Sequence, residues 1–311
     1  MNCYLSSSCF AGQSMQEVLK TCESEGIYDI EWSAPHTFIS VDEINKLLKS
    51  YKVKGFSFVP HNYFPPRRED FVLNIATADE RVRNLSLEMI KDMLDVASAQ
   101  AMPVYGIHAG YLADPVVGSN GMFGFPSKTI KPEKAFINAV KFIEQIKPWF
   151  QQAGVQLALE NLFPLPDGEF SLYCSFDEIK DMTQAVGDDV GLLLDLGHLN
   201  VTSQLRGIPR NKFIAKYLSE FGSVVHEVHL SENNGYKDEH LPVQENSWQL
   251  DIIREVETIK LRDGGRRCYC LEARNSDGID VLKESMKHIS KQFLQSHEGI
   301  QGLRKMNGSF K

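Results

Sequence analysis

Leu192-Leu193-Leu194-Asp195-Leu196-Gly197-His198 is an apolar run that stops on a carboxylate and reaches an imidazole one short turn later. A strand buried on both faces reads as a continuous apolar stretch of this kind. Five more stretches share the form: Phe58-Val59-Pro60-His61, Val104-Tyr105-Gly106-Ile107-His108, Leu157-Ala158-Leu159-Glu160, Val225-His226-Glu227-Val228-His229 and Tyr269-Cys270-Leu271-Glu272. One alone says little, because a buried strand often ends in a polar residue where the chain leaves the core. Six that all stop on His, Asp or Glu point to parallel strands whose carboxyl ends converge on one metal. That is the end at which barrel enzymes keep their active sites.

Outward from these runs, strand and helix signals alternate along the chain. Strands are predicted near 3–7, 28–32, 54–60, 103–108, 155–160, 191–196, 224–230 and 267–272. Amphipathic segments lie near 14–25, 41–51, 79–100, 132–152, 175–186, 210–221, 248–260 and 278–293. Eight strands, each followed by a helix, is the count of a (β/α)₈ TIM barrel, an α/β fold. The reading is one domain over 1–293, with a loosely ordered tail over 294–311 that carries Gly299, Gly302 and Gly308. An open doubly wound sheet is the rival, but its G-x-G-x-x-G turn is absent.

The 311 residues carry 33 basic and 41 acidic side chains, a net charge of −8. This balance argues against a dedicated nucleic-acid surface. No apolar run approaches the roughly 18 residues that span a bilayer, and the first residues lack the pattern of a secretory signal. The six cysteines are scattered rather than framed as disulfides, so a reducing cytoplasm is the expected compartment. Strand alternation from each terminal ligand sets what faces inward. It places Cys270, Cys268, Ala158, Leu193 and Gly191 in the barrel interior, along with Glu227 and Val225, and turns His226 toward the helices. Long loops at 62–78, 109–131 and 161–174, rich in Pro, Gly and aromatics, are expected to shape the pocket mouth.

Asp195-Leu196-Gly197-His198, together with His229-Leu230-Ser231-Glu232-Asn233-Asn234-Gly235 and Asp238-Glu239-His240-Leu241-Pro242, resembles the xylose isomerase-like barrels. These include sugar and sugar-phosphate isomerases, epimerases and three-zinc apurinic-site endonucleases. The resemblance runs from Ile30-Glu31-Trp32 to Glu272. It implies one divalent metal held by the residues matching Glu160, Asp195, His229 and Glu272. His61, His108 and His198 would line the pocket or, in the endonuclease branch, bind additional Zn²⁺, with Asp238 and His240 at a third zinc. The chain departs from the family after Pro242, where Val243-Gln244-Glu245-Asn246-Ser247 replaces a glycine-containing turn.

Three carboxylates and one imidazole suit Mn²⁺, Mg²⁺, Co²⁺ or Zn²⁺. Such an ion would acidify the proton beside a sugar carbonyl and stabilise the resulting enediolate. Glu160 and Glu272, on opposite walls, would form the acid/base pair, with His198 orienting a hydroxyl. His61, His108, Glu31, Asp238, His240 and Arg274 complete the expected substrate contacts. The expected activity is sugar or sugar-phosphate isomerisation or epimerisation of a small-molecule substrate, and barrels of this kind often form a homo-oligomer, a dimer or tetramer. The alternatives are an apurinic-site endonuclease, a cyclitol or keto-sugar dehydratase, and a barrel that binds metal or ligand without turnover.

Overall fold

A computed structural model describes residues 3–33, 36–69, 71–117, 123–126, 129–165, 170–274 and 278–307. Its eight barrel strands are β1 (Cys3–Ser6), β2 (Asp29–Trp32), β3 (Ser57–Pro60), β4 (Val104–His108), β5 (Gln156–Glu160), β6 (Gly191–Asp195), β7 (Val225–Leu230) and β8 (Cys268–Leu271). All pair in parallel, in the order β3-β2-β1-β8-β7-β6-β5-β4. The ring is nearly closed: β4 meets β3 through one isolated bridge, His61 with Gly106. This is the single-domain TIM barrel that the alternation predicts.

The helices are α1 (Met15–Glu25), α2 (Val41–Lys52), α3 (Glu80–Gln100), α4 (Pro132–Ala153), α5 (Phe176–Val186), α6 (Leu196–Leu205), α7 (Arg210–Phe221), α8 (Trp248–Thr258) and α9 (Ile279–Asn307). Capping boxes open α1, α2 and α5, through Ser14 with Glu17, Ser40 with Glu43, and Ser175 with Glu178. Each satisfies backbone donors that the first helical turn leaves over. Helix α9 runs through the segment from 294 that the sequence reading set apart as a tail; residues 308–311 lie outside the described residues. No helix among the described residues is long and apolar enough to cross a membrane.

Helix α6 has no counterpart in the sequence reading. Leu196-Gly197-His198-Leu199-Asn200-Val201-Thr202-Ser203 is poor in helix formers. Burial of Leu196, Leu199 and Val201 overrides that propensity, and Asp195 caps the helix, its Oδ1 accepting from the His198 backbone N–H at 2.6 Å. One residue therefore ends a strand and starts a helix.

Three apolar regions result among the described residues, the third being a small cluster of Val72, Tyr111, Leu162 and Cys174 in the mouth loops. The largest lies between strands and helices; the second fills the barrel with Tyr4, Val59, Val104, Ala158, Leu193, Cys268 and Cys270. Ala158, Leu193 and the two cysteines are interior, as alternation requires. Val225 is not. The pairing of β6 with β7 shifts register between Leu192 and Leu193, which sends Val225 into the outer core and lays the His226 ring against Gly191. A bulge of this kind breaks the two-residue period on which the expectation rested.

At the floor, Arg267 is 7% exposed and donates to the carbonyls of Val225, Val256, Ile259 and Gly222. At the mouth, the long loops are tied together. Asn74 donates to Asp114 Oδ1 at 2.8 Å and accepts from the Tyr111 N–H at 2.9 Å. Leu112 N–H donates to the Phe170 carbonyl at 2.7 Å.

Candidate metal centre

The carboxyl ends of β2 to β8 deliver their terminal side chains to one buried cluster. Glu160, Asp195, His229 and Glu272 each offer a ligand atom, and these atoms lie within 4.8 Å of one another. They come from β5, β6, β7 and the residue after β8. His61, His108 and Glu160 form a second group by the same measure, and Glu31, His61 and His229 a third.

Glu160 is the hub. Its Oε2 lies 2.8 Å from His61 Nε2 and 3.2 Å from His108 Nε2, and its Oε1 lies 3.1 Å from His198 Nδ1. Burial raises its pKa, but the flanking His108 and His61 outweigh this and hold it well below the usual carboxylate range. Asp195 goes the other way. Burial, with Glu160 and Asp238 nearby, lifts it to about 6 against the pull of His198. Its Oδ1 caps α6 while Oδ2 stays buried with no hydrogen-bond partner, so one oxygen builds the fold and the other faces the cluster.

Asp238 and His240 reach the same mouth from the loop after β7. His240 Nε2 lies 2.6 Å from Asp238 Oδ2, and His198 Nε2 lies 3.5 Å from that oxygen. His240 adopts a left-handed conformation, φ 50°, which an L-residue tolerates only when its surroundings impose it. Here its carbonyl accepts from the Arg274 N–H at 2.7 Å, and its ring meets the Glu272 carbonyl at 2.9 Å. Gly197 permits this crowding: a Cβ there would sit 2.7 Å from Ser231 Oγ.

Nine of the eleven expected site residues therefore gather in one place: His61, His108, Glu160, Asp195, His198, His229, Asp238, His240 and Glu272. The other two differ. The Arg274 side chain is exposed, while its backbone N–H bonds the His240 carbonyl. Glu31 is 0% exposed, beneath His229 and bound by Ser6 Oγ at 2.8 Å.

Several participants were not expected. Asn161 grips the Asp195 backbone on both sides: Oδ1 accepts from the Asp195 N–H at 2.8 Å, and Nδ2 donates to the Asp195 carbonyl at 2.9 Å. Its own carbonyl lies 2.9 Å from His198 Nδ1. Adjacency to Glu160 was the only signal it offered. Tyr63 and Tyr111 hydrogen-bond His108 Nδ1 from the loops, and Phe163 packs its ring on His198 at 4.8 Å. Glu227, for which the sequence suggested no partner, is fully buried with Oε1 3.7 Å from His229 Nε2.

These residues fit a divalent cation. Glu160 Oε1 and Asp195 Oδ2 are buried without well-formed hydrogen bonds, and several carboxylates share a volume from which water is excluded. Such crowding costs free energy unless cations offset it. Oxygen donors with one imidazole suit the borderline and hard divalent metals.

Comparison with known proteins agrees with this architecture. An uncharacterized protein of Methanocaldococcus jannaschii, MJ1311, is 28% identical over 231 residues, 73% of this chain and 71% of its own. Among solved structures, a D-tagatose 3-epimerase-like protein superposes with a TM-score of 0.72 at 21% identity, covering 96% of this chain and all of its own. D-Psicose 3-epimerase of Clostridium cellulolyticum H10, solved with D-tagatose, gives 0.66 at 16% identity, covering 96% and 99%. Residues 19–292 match the xylose isomerase-like TIM barrel profile, and the chain belongs to that family.

Proposed function

We propose that the chain is a divalent-metal-dependent sugar isomerase or epimerase that works by proton transfer next to a carbonyl. The observation that carries this reading is the placing of Glu160 and Glu272. They stand on strands three positions apart around the barrel, yet both belong to one ligand group within 4.8 Å. Epimerisation needs two proton-transfer groups facing a single carbon from opposite sides. The solved sugar epimerases with this fold favour a sugar as substrate.

A metal at Glu160, Asp195, His229 and Glu272 would supply Lewis-acid polarisation of vicinal carbonyl and hydroxyl oxygens. The chain's own residues do the rest. Glu160, held ionised, takes the proton from one face, and Glu272 returns a proton from the other. Return to the same carbon epimerises it; return to the neighbouring carbon isomerises the sugar. His198, fixed at Nδ1 by Asn161, positions a substrate hydroxyl. Tyr63, Tyr111 and Phe163 wall the approach and limit water.

A second reading, a three-metal phosphodiester hydrolase, is favoured by the extra His61–His108–Glu160 group and the His198–Asp238–His240 chain. The acidic balance of the chain counts against it. The test incubates metal-loaded protein with ketoses and ketose phosphates in D₂O, beside an abasic duplex. Deuterium at carbon, abolished by Glu160→Gln and by Glu272→Gln, supports the isomerase. Duplex cleavage with no exchange refutes it and favours the hydrolase.

A further inference from the structure

We propose that Glu31 is a positioning residue that fixes the tautomer of His229 and thereby sets the metal affinity of the centre. This rests on the reading that Glu160, Asp195, His229 and Glu272 hold a metal. His229 shows its two nitrogens to different partners. Nδ1 faces the upper carboxylates, 3.1 Å from Glu272 Oε2 and 3.9 Å from Asp195 Oδ2. Nε2 points down, 2.8 Å from Glu31 Oε2, although the two groups are not aligned for a straight hydrogen bond.

A metal-ligating imidazole binds through an unprotonated nitrogen and keeps its proton on the other. With Nδ1 on the metal side, the proton must sit on Nε2, and it needs an acceptor at a position where both residues are fully buried. Glu31 is that acceptor. Glu227 is buried too, but it stands farther off, at 3.7 Å. A neighbour holds Glu31 in place. Ser6, its register partner on β1, donates to Oε1 at 2.8 Å.

Two other roles for Glu31 fail on the same geometry. A substrate held on the Nδ1 side of His229 is separated from Glu31 by the imidazole ring, which presents Nε2 to Glu31 and Nδ1 to Glu272 and Asp195. Glu31, His61 and His229 cannot hold a second ion alongside the upper one either. His229 has its proton on Nε2 whenever Nδ1 is a ligand, and a protonated nitrogen does not coordinate. A purely packing role is a poor use of a carboxylate, since burying one costs more than burying an apolar residue of like size.

Partners of ligating histidines typically change metal affinity by about 10- to 100-fold when removed. The test titrates Co²⁺ against a chelator into wild type, Glu31→Gln and Glu31→Leu. It also follows the imidazole N–H of His229 by NMR of Zn²⁺-loaded, ¹⁵N-histidine-labelled protein. Glu31→Leu should bind Co²⁺ about 10- to 100-fold more weakly, and Glu31→Gln, which keeps an acceptor without the charge, should fall between. The wild-type Nε2 proton should exchange slowly with solvent and faster in both variants, a change that altered packing alone would not produce. Glu31→Gln is nearly isosteric, so it carries the test even where the leucine variant does not fold. Affinities within twofold of wild type in the folded variants, or an unprotonated Nε2 in the loaded protein, overturn the proposal. Absence of Co²⁺ uptake by wild type instead overturns the metal reading beneath it.

Discussion

Replacing Asn161 by alanine removes two hydrogen bonds that hold one ligand's backbone in place. The side chain takes the Asp195 N–H at 2.8 Å and gives to the Asp195 carbonyl at 2.9 Å, with Asn161 3% and Asp195 1% exposed. Neither backbone group gains water on truncation: the N–H is left unsatisfied at about 1–3 kcal/mol, and the carbonyl, which also accepts the first bond of α6, loses one of its two partners. Allowing for local relaxation, the sum is about 2–4 kcal/mol, a loss of roughly 3–6 °C in melting temperature for a domain of this size. His198 keeps its anchor, because that is the backbone carbonyl of Asn161. The damage should therefore fall on Asp195: stability drops and Mn²⁺ or Co²⁺ binds more weakly. Asn161→Asp keeps the acceptor but sets a carboxylate oxygen against the Asp195 carbonyl, and should be no better than alanine. Thermal unfolding by circular dichroism with chelator present, alongside metal titration, gives both quantities. A stability change under about 1 kcal/mol with unchanged metal affinity would refute the clamp.

Three other expectations follow from the geometry. In metal-free protein, burial lowers the pKa of His61 and of His240, but Glu160 and Asp238 respectively raise them to about 9. Their contribution is complete below the unfolded value of about 6.5 and is lost as pH rises through 9. Chelated protein should therefore melt progressively lower between pH 7 and about 9.5, and metal-loaded protein should show a flatter profile. In Gly106→Ala, the new Cβ would lie 2.3 Å from Leu193 Cδ1 and 2.9 Å from Glu227 Oε2. Overpacking of this kind should cost about 1–3 kcal/mol by denaturant titration. Arg267→Lys cannot reproduce a guanidinium serving four carbonyls and should destabilise nearly as much as Arg267→Ala, by about 3 kcal/mol or more in urea unfolding.

Strand ends were legible because a buried parallel strand is apolar throughout, so a terminal Glu160 or Asp195 stands out against it. Helix α6 was not legible, because Gly197, Asn200 and Thr202 deny it propensity and only tertiary burial makes it helical. Val225 misled for a related reason: alternation assumes an unbroken ladder, and the bulge is written in pairing rather than composition. Asn161 was passed over because an asparagine after a strand looks like an ordinary loop residue until its two backbone bonds are seen. Arg274 was legible by charge and position, whereas the bond from its backbone N–H to the His240 carbonyl has no signature in composition.

The single bridge between β3 and β4 has a consequence for how the molecule breathes. Among the described residues, that joint is held by the His61–Gly106 bridge, the Asn62 N–H to the Gly106 carbonyl at 2.9 Å, the His108 N–H to Asn62 Oδ1 at 3.1 Å and the Tyr105 hydroxyl to the Asn62 carbonyl at 3.0 Å. Every other adjacent strand pair is laddered. The barrel is thus a hoop with one light fastening, and amide protons at that fastening should exchange with solvent before those of β6 and β7. The described residues 62–69 and 109–117 lead away from it. Widening there moves the rim that carries Tyr63 and Tyr111, while Glu160, Asp195, His229 and Glu272 stay on continuous hydrogen-bonded sheet. Give at the rim and constancy of the ligand frame would thereby fall to adjoining arcs of the same ring.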